Sequence, residues 1–320
     1  MDERADGLKR AFWNPSENRL RAPFRVPVML VLVLLAVQVI LLVVAGLELV
    51  VALPSPVANG LILVLVTGAI AVLSVALDRR YLRDLGLGGG RAWLLDLLAG
   101  LVVGLVMAGV AVGVLVAAGV ATVTTPTVTD PDIVLGGGTL GLLYGLWFFG
   151  GVGLLEEFVV RGYLLVNVAE GIRGIVDTDR TAVLVGVVGT AGLFGVLHAA
   201  NPGGTTLSLV NIALAGLFFG LVYAVTGRLA FPIGAHITWN VGIGPVFGLP
   251  VSGLTTDTAL VGIETDGPTL LTGGSFGPEG GLAMLVGLAA GVAAFVGWTR
   301  LRGGNLAVDE RIAVPELWGR

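Results

Sequence analysis

Residues 26–50 read VPVMLVLVLLAVQVILLVVAGLELV, an apolar run of 25 residues whose one charge, Glu48, sits near its end. A helix rises 1.5 Å per residue, so such a run is long enough to cross the roughly 30 Å hydrocarbon core of a bilayer. It is far longer than the apolar region of a cleavable signal, and about 25 largely charged and polar residues precede it. The stretch therefore reads as a first transmembrane helix, and the chain as an all-α, polytopic membrane protein.

Composition agrees. Of 320 residues, 55% are hydrophobic and only 12% are charged, where soluble domains carry about a quarter charged residues. Mean hydropathy is +0.95. There is no cysteine, which removes disulfides, thiolate metal sites and cysteine nucleophiles from consideration.

Eight candidate spans follow one another, near residues 27–50, 57–77, 94–121, 138–170, 181–199, 207–226, 229–248 and 280–301. The positive-inside rule tests that count. The one lysine, Lys9, and the seventeen arginines all fall on, or lead to, the side that holds both termini. An error of one span would scramble that pattern. The expected organisation is a basic cytosolic tail (1–25), a membrane domain (26–301) and a second cytosolic tail (302–320). The opposite loops carry no basic residue, and 249–278 reads as a long external loop without structure of its own. The pairs Gly100/Gly104, Gly109/Gly113, Gly216/Gly220 and Gly287/Gly291 read as close helix contacts.

Ionisable groups in a bilayer are costly and mark function by default. Glu48 and Asp96 lie near span ends and read as solvated. The others are Glu156, Glu157, Arg161, His198, His236 and, as a neutral polar group, Asn240. Glu157 and Arg161 are one helical turn apart, acid before base, and can pair. Glu156 points about 100° away and has no partner on its own helix. An unpaired, desolvated carboxylate suits a general base. Phe194 and His198 share one face of the fifth span, and His236 and Asn240 share one face of the seventh. Polar groups in lipid need one another, so convergence in one cavity is expected. A carboxylate and a histidine can deprotonate a water while a histidine and an asparagine bind the oxyanion of an attacked amide. Alternatively, Glu156, His198 and His236 can hold a zinc ion with water as the fourth ligand. The sequence leaves both open.

The stretches EEFVVR (156–161), FGVLH (194–198) and HITWN (236–240) resemble, in order and on three separate spans, the motifs of the CAAX-protease and bacteriocin-processing family of intramembrane proteases. The match covers roughly residues 138–248. The resemblance implies an eight-helix fold with cytosolic termini, in a multi-pass protein of the cell membrane. It implies that Glu156 activates water with His198, that His236 and Asn240 stabilise the oxyanion, and that Glu157, Arg161 and Phe194 support them. Both a metalloprotease and a metal-free glutamate mechanism are attached to such proteins. The implied substrate is a peptide or protein, lipidated or not, met in membrane lipid; nothing points to nucleic acid.

Competing patterns are weak. GGSFG (273–277) matches a nucleophile elbow, but both histidines precede it, against the order those hydrolases use. No H-E-x-x-H helix is present. Two other readings keep the polar cluster without proteolysis. One is a proton-coupled transporter, for which repeat symmetry between halves is missing, and the other is a non-catalytic immunity-type membrane protein.

Overall fold

The computed structural model describes residues 11–51, 53–128, 137–256 and 258–319. Helix α1 (Ala22–Glu48) and α2 (Ser55–Asp78) form the first hairpin, and α3 (Arg91–Ala117) follows. Helix α4 begins as Gly137–Glu157, passes through a π-helical segment, Phe158–Leu165, and ends as Val166–Ile172. Then come α5 (Asp179–Leu197), α6 (Thr206–Thr226), α7 (Ala230–Val241, with a π-helical extension Gly242–Val246) and α8 (Ala283–Leu301). Among the described residues, seven of these helices are long and apolar enough to cross a membrane. The protein is a multi-pass helix bundle.

The exception is α7, which with its π-helical extension occupies most of the seventh expected span. It is short, and Ala230–His236 and Trp239–Val241 are all buried. It is a central helix wrapped by its neighbours. Its first turns meet α3 part-way along, where a Cβ on Gly234 would run into the Leu97 carbonyl and the Leu101 amide. Residues 249–278, expected as a structureless external loop, contain folded elements. Strand β3 (Thr258–Ala259) pairs antiparallel with β2 (Thr127–Val128), and β4 (Gly262–Thr265) with β1 (Ala121–Thr124). These backbones satisfy one another where they leave the bundle, as buried polar groups must.

Small residues do set the close contacts, though not at every expected pair. Gly100 and Gly104 lie against the Phe231 and Ala235 backbone of α7, and Gly287 and Gly291 lie against Met107 of α3. Gly109 and Gly113 face open space, with nothing within 4 Å of a built Cβ; that face looks outward, where lipid makes no demand for a small residue. A Cβ on Gly104 would meet the Ala235 carbonyl and Thr238 Oγ1, which cannot retreat without separating α3 from α7. Gly104→Ala is therefore expected to lower stability by about 1–3 kcal/mol. Gly109→Ala should leave it unchanged. Paired unfolding curves in one detergent check both.

The arginine-rich end is built as a mesh of separate ionic clusters. Glu170, near the end of α4, accepts from Arg19 (2.8 Å), Arg25 (2.9 Å) and Arg80 (2.7 Å), drawn from three different segments. Asp78 takes Arg25 at 3.2 Å and the Asn167 amide at 2.7 Å. Asp96, expected to be solvated, is 2% exposed. It is paired with Arg228 and Arg302, each at 2.7 Å, and accepts from the Trp298 indole. Glu48 is exposed as expected. The C-terminal segment docks here too, with Trp318 N–H donating to the Arg79 carbonyl (2.8 Å) and Ile312 and Ala313 buried. The ends of α2, α4, α6 and α8 and the starts of α1, α3 and α7 meet in this mesh. All the basic residues in it thus share one end of the bundle.

Candidate active site

Helix α4 carries the acidic pair into the middle of the bundle. Glu156 and Glu157 close its first α-helical part, and the π-helical turn begins at Phe158. Such turns insert an extra residue into a helix and recur at functional sites. Glu157 and Arg161 pair at 2.8 Å with both side chains fully buried. The guanidinium also donates to the Gly216 carbonyl on α6 (3.1 Å) and lies over the Phe194 ring at 4.5 Å. Glu156 has no arginine. Its side chain is 32% exposed and opens into a cavity of about 130 Å³. That is room for roughly four waters at about 30 Å³ each.

The other motif residues reach the same cavity. His236, one turn into the buried core of α7, sits between both carboxylates: Nδ1 is 2.9 Å from Glu157 Oε1 and Nε2 is 3.7 Å from Glu156 Oε2. Its ring stacks on Phe219 with centroids 5.6 Å apart. His198 caps the C-terminus of α5, and its Nδ1 lies 2.8 Å from the Phe194 carbonyl. A carbonyl can only accept, so Nδ1 carries the proton and Nε2 of the neutral ring has a free lone pair. Phe194 packs edge-on against His198, centroids 4.7 Å apart. Asn240 is 4% exposed, lines the cavity, and makes no side-chain hydrogen bond to another described residue. The structure thus brings Glu156, Phe194, His198, His236 and Asn240 to one cavity, with Glu157 and Arg161 directly behind it.

The seven motif residues fall inside residues 138–242, which match the family model described as type II CAAX prenyl endopeptidase Rce1-like. The similarity to that family covers about a third of the chain. No curated protein and no solved structure matches the chain. At the level of the family, this similarity supports a membrane endopeptidase of the CAAX protease type with a peptide or protein substrate. Helices α1, α2 and α3 lie before the matched residues, and the 247–282 segment and α8 lie after them.

Among the described residues, no three His, Asp or Glu side chains are grouped so as to hold an ion, so the zinc arrangement that the sequence left open finds no preformed site among them.

Four polar lining residues escaped the sequence reading: Asn201, Trp239, Ser252 and Glu279. Glu279 is an acid 4% exposed, held by Trp239 Nε1 (2.8 Å), Ser252 N (2.5 Å) and Ser252 Oγ (2.6 Å). The available signal was an acid between residues 229 and 299, a stretch with no lysine or arginine.

Proposed function

We propose that the chain is an intramembrane endopeptidase in which Glu156 and His198 activate a water for direct attack on a peptide carbonyl. Glu156 takes the water proton as the C–O bond forms, and passes it to the amide nitrogen as the C–N bond breaks. His236 and Asn240 donate hydrogen bonds to the oxyanion between those steps, a role that calls for a proton on His236 Nε2. Glu157 holds the His236 ring through Nδ1, and Arg161 holds Glu157. The arginine-rich end faces the cytosol, so both termini do. The substrate is a peptide at or in the membrane, with a lipidated C-terminal segment included in the class.

The observation that carries this reading is the division of labour between adjacent glutamates. Glu157 is buried against Arg161, whereas Glu156 is free of arginine and faces the cavity shared with His198, His236 and Asn240. A carboxylate paired with guanidinium is a poor proton acceptor; one left to water and imidazoles is a good one.

The test is cleavage by purified protein of a farnesylated peptide ending in a CAAX sequence, beside its unprenylated twin. Asn240→Ala is expected to lower kcat about 100-fold, the usual effect of removing one oxyanion donor. Proton flux in proteoliposomes, with neither peptide cut, would favour a transporter instead.

A further inference from the structure

We infer that Glu279 is a positioning residue for the proteolytic site, holding a hydrogen-bonded bridge between its water-activating half and its oxyanion half. The inference rests on the endopeptidase reading above. The bridge can be followed atom by atom. Asn201 N–H donates to the His198 carbonyl at 3.1 Å, in the turn that follows α5. Asn201 Nδ2 donates to the Ser252 carbonyl at 3.0 Å. Ser252 donates its amide and its hydroxyl to Glu279 Oε2, and Trp239 Nε1 donates to Glu279 Oε1. Trp239 immediately precedes Asn240 on α7. His198 and Asn240 are thereby tied through the carboxylate of a residue 39 positions beyond Asn240.

Three further features single out this carboxylate. Its backbone is clamped, because Asn211 Nδ2 on α6 donates to the carbonyls of Glu279 and Gly281, each at 2.9 Å. Ser252 adopts φ +48°, a left-handed conformation that a serine does not favour. The two bonds from Ser252 to Glu279 hold it there. All three donors to the carboxylate are neutral, and no arginine or lysine lines the cavity. A carboxylate accepts from every direction. A carboxamide at the same place must turn its NH₂ either on the indole N–H or on the Ser252 amide, setting donor against donor.

Displacing catalytic groups by about 1 Å can cost about 100-fold in rate, so the bridge is expected to show in kcat. The experiment uses the purified full-length protein and four variants: Glu279→Gln, Trp239→Phe, their double, and Glu156→Gln as the inactive reference. Cleavage of the farnesylated CAAX peptide is followed together with hydrogen exchange of residues 198–204 and 250–254 without substrate. Glu279→Gln should lower kcat about 10- to 100-fold, with KM within about threefold, and speed exchange in both segments. The double variant should match Trp239→Phe alone, since a phenylalanine in place of the indole presents no N–H for the new amide to oppose. A residue that merely stabilises the fold would lower the folded fraction and leave kcat per folded molecule untouched. The inference is overturned if Glu279→Gln and Trp239→Phe both keep kcat within about twofold and leave exchange at wild-type rates. Should Glu279→Gln fail to fold, Trp239→Phe decides on the same criteria. If Glu156→Gln still cleaves, the proteolytic assignment fails instead, and the exchange measurement still reads the bridge without substrate.

Discussion

Glu156→Gln is expected to lower kcat about a thousandfold while leaving the protein folded. General-base catalysis by a positioned side chain contributes about 10²- to 10⁴-fold. A carboxamide has the shape of the carboxylate and cannot take up the water proton. The fold should tolerate the change because Glu156 is a third exposed to the cavity and its ionisable neighbour there, His236, is 3.7 Å away. No arginine depends on it. The decisive comparison is single-turnover cleavage at equal folded protein, with circular dichroism and thermal unfolding of the same samples. Cleavage within about tenfold of wild type would remove Glu156 from the role of base. Glu157→Gln, one residue away, is expected to behave differently: it loses activity and stability together, because both Arg161 and His236 are held by that carboxylate.

The second large effect is on stability. Arg161→Met is expected to destabilise the protein by about 3–5 kcal/mol, the usual result of removing one partner from a buried ion pair. The guanidinium is fully buried, bonds Glu157 and the Gly216 carbonyl, and lies over the Phe194 ring. Its loss leaves a buried carboxylate with only the His236 N–H, and frees the ring that packs on His198. Removing both charges is less harmful than removing one, so Glu157→Gln/Arg161→Met should recover part of the loss. Unfolding of the three variants by heat or denaturant in the same detergent measures this cycle. Equal stability of Arg161→Met and wild type would show that the pair does not hold α4 to α6.

How far the site could be read from sequence depends on which residues share an element. Glu157 with Arg161, Phe194 with His198, and His236 with Asn240 are each one helical turn apart, and helix geometry alone puts each pair on one face. The same geometry separates Glu156 from Glu157, and the structure keeps them apart, one in the cavity and the other against arginine. Asp96 was misread because its partners, Arg228 and Arg302, lie 132 and 206 positions away, beyond any local pattern. Glu279 was missed for the same reason. It sits in a glycine- and proline-rich segment whose pairing partners, β1 and β2, lie before α4.

By itself the sequence determined the class of the molecule, the side on which its arginines gather and the face on which each polar residue lies. Those follow from local facts: the apolar length needed to cross a bilayer, the rule for basic loops and the period of the helix. Only the tertiary structure decided what lies opposite each face. It made α7 a short central helix, turned the 247–282 segment into a wall of the cavity, and packed Gly100 and Gly104 against a helix while leaving Gly109 open. The physical reason is that a helix fixes the direction of its own side chains, whereas the neighbour they meet is set by contacts among segments far apart in the chain.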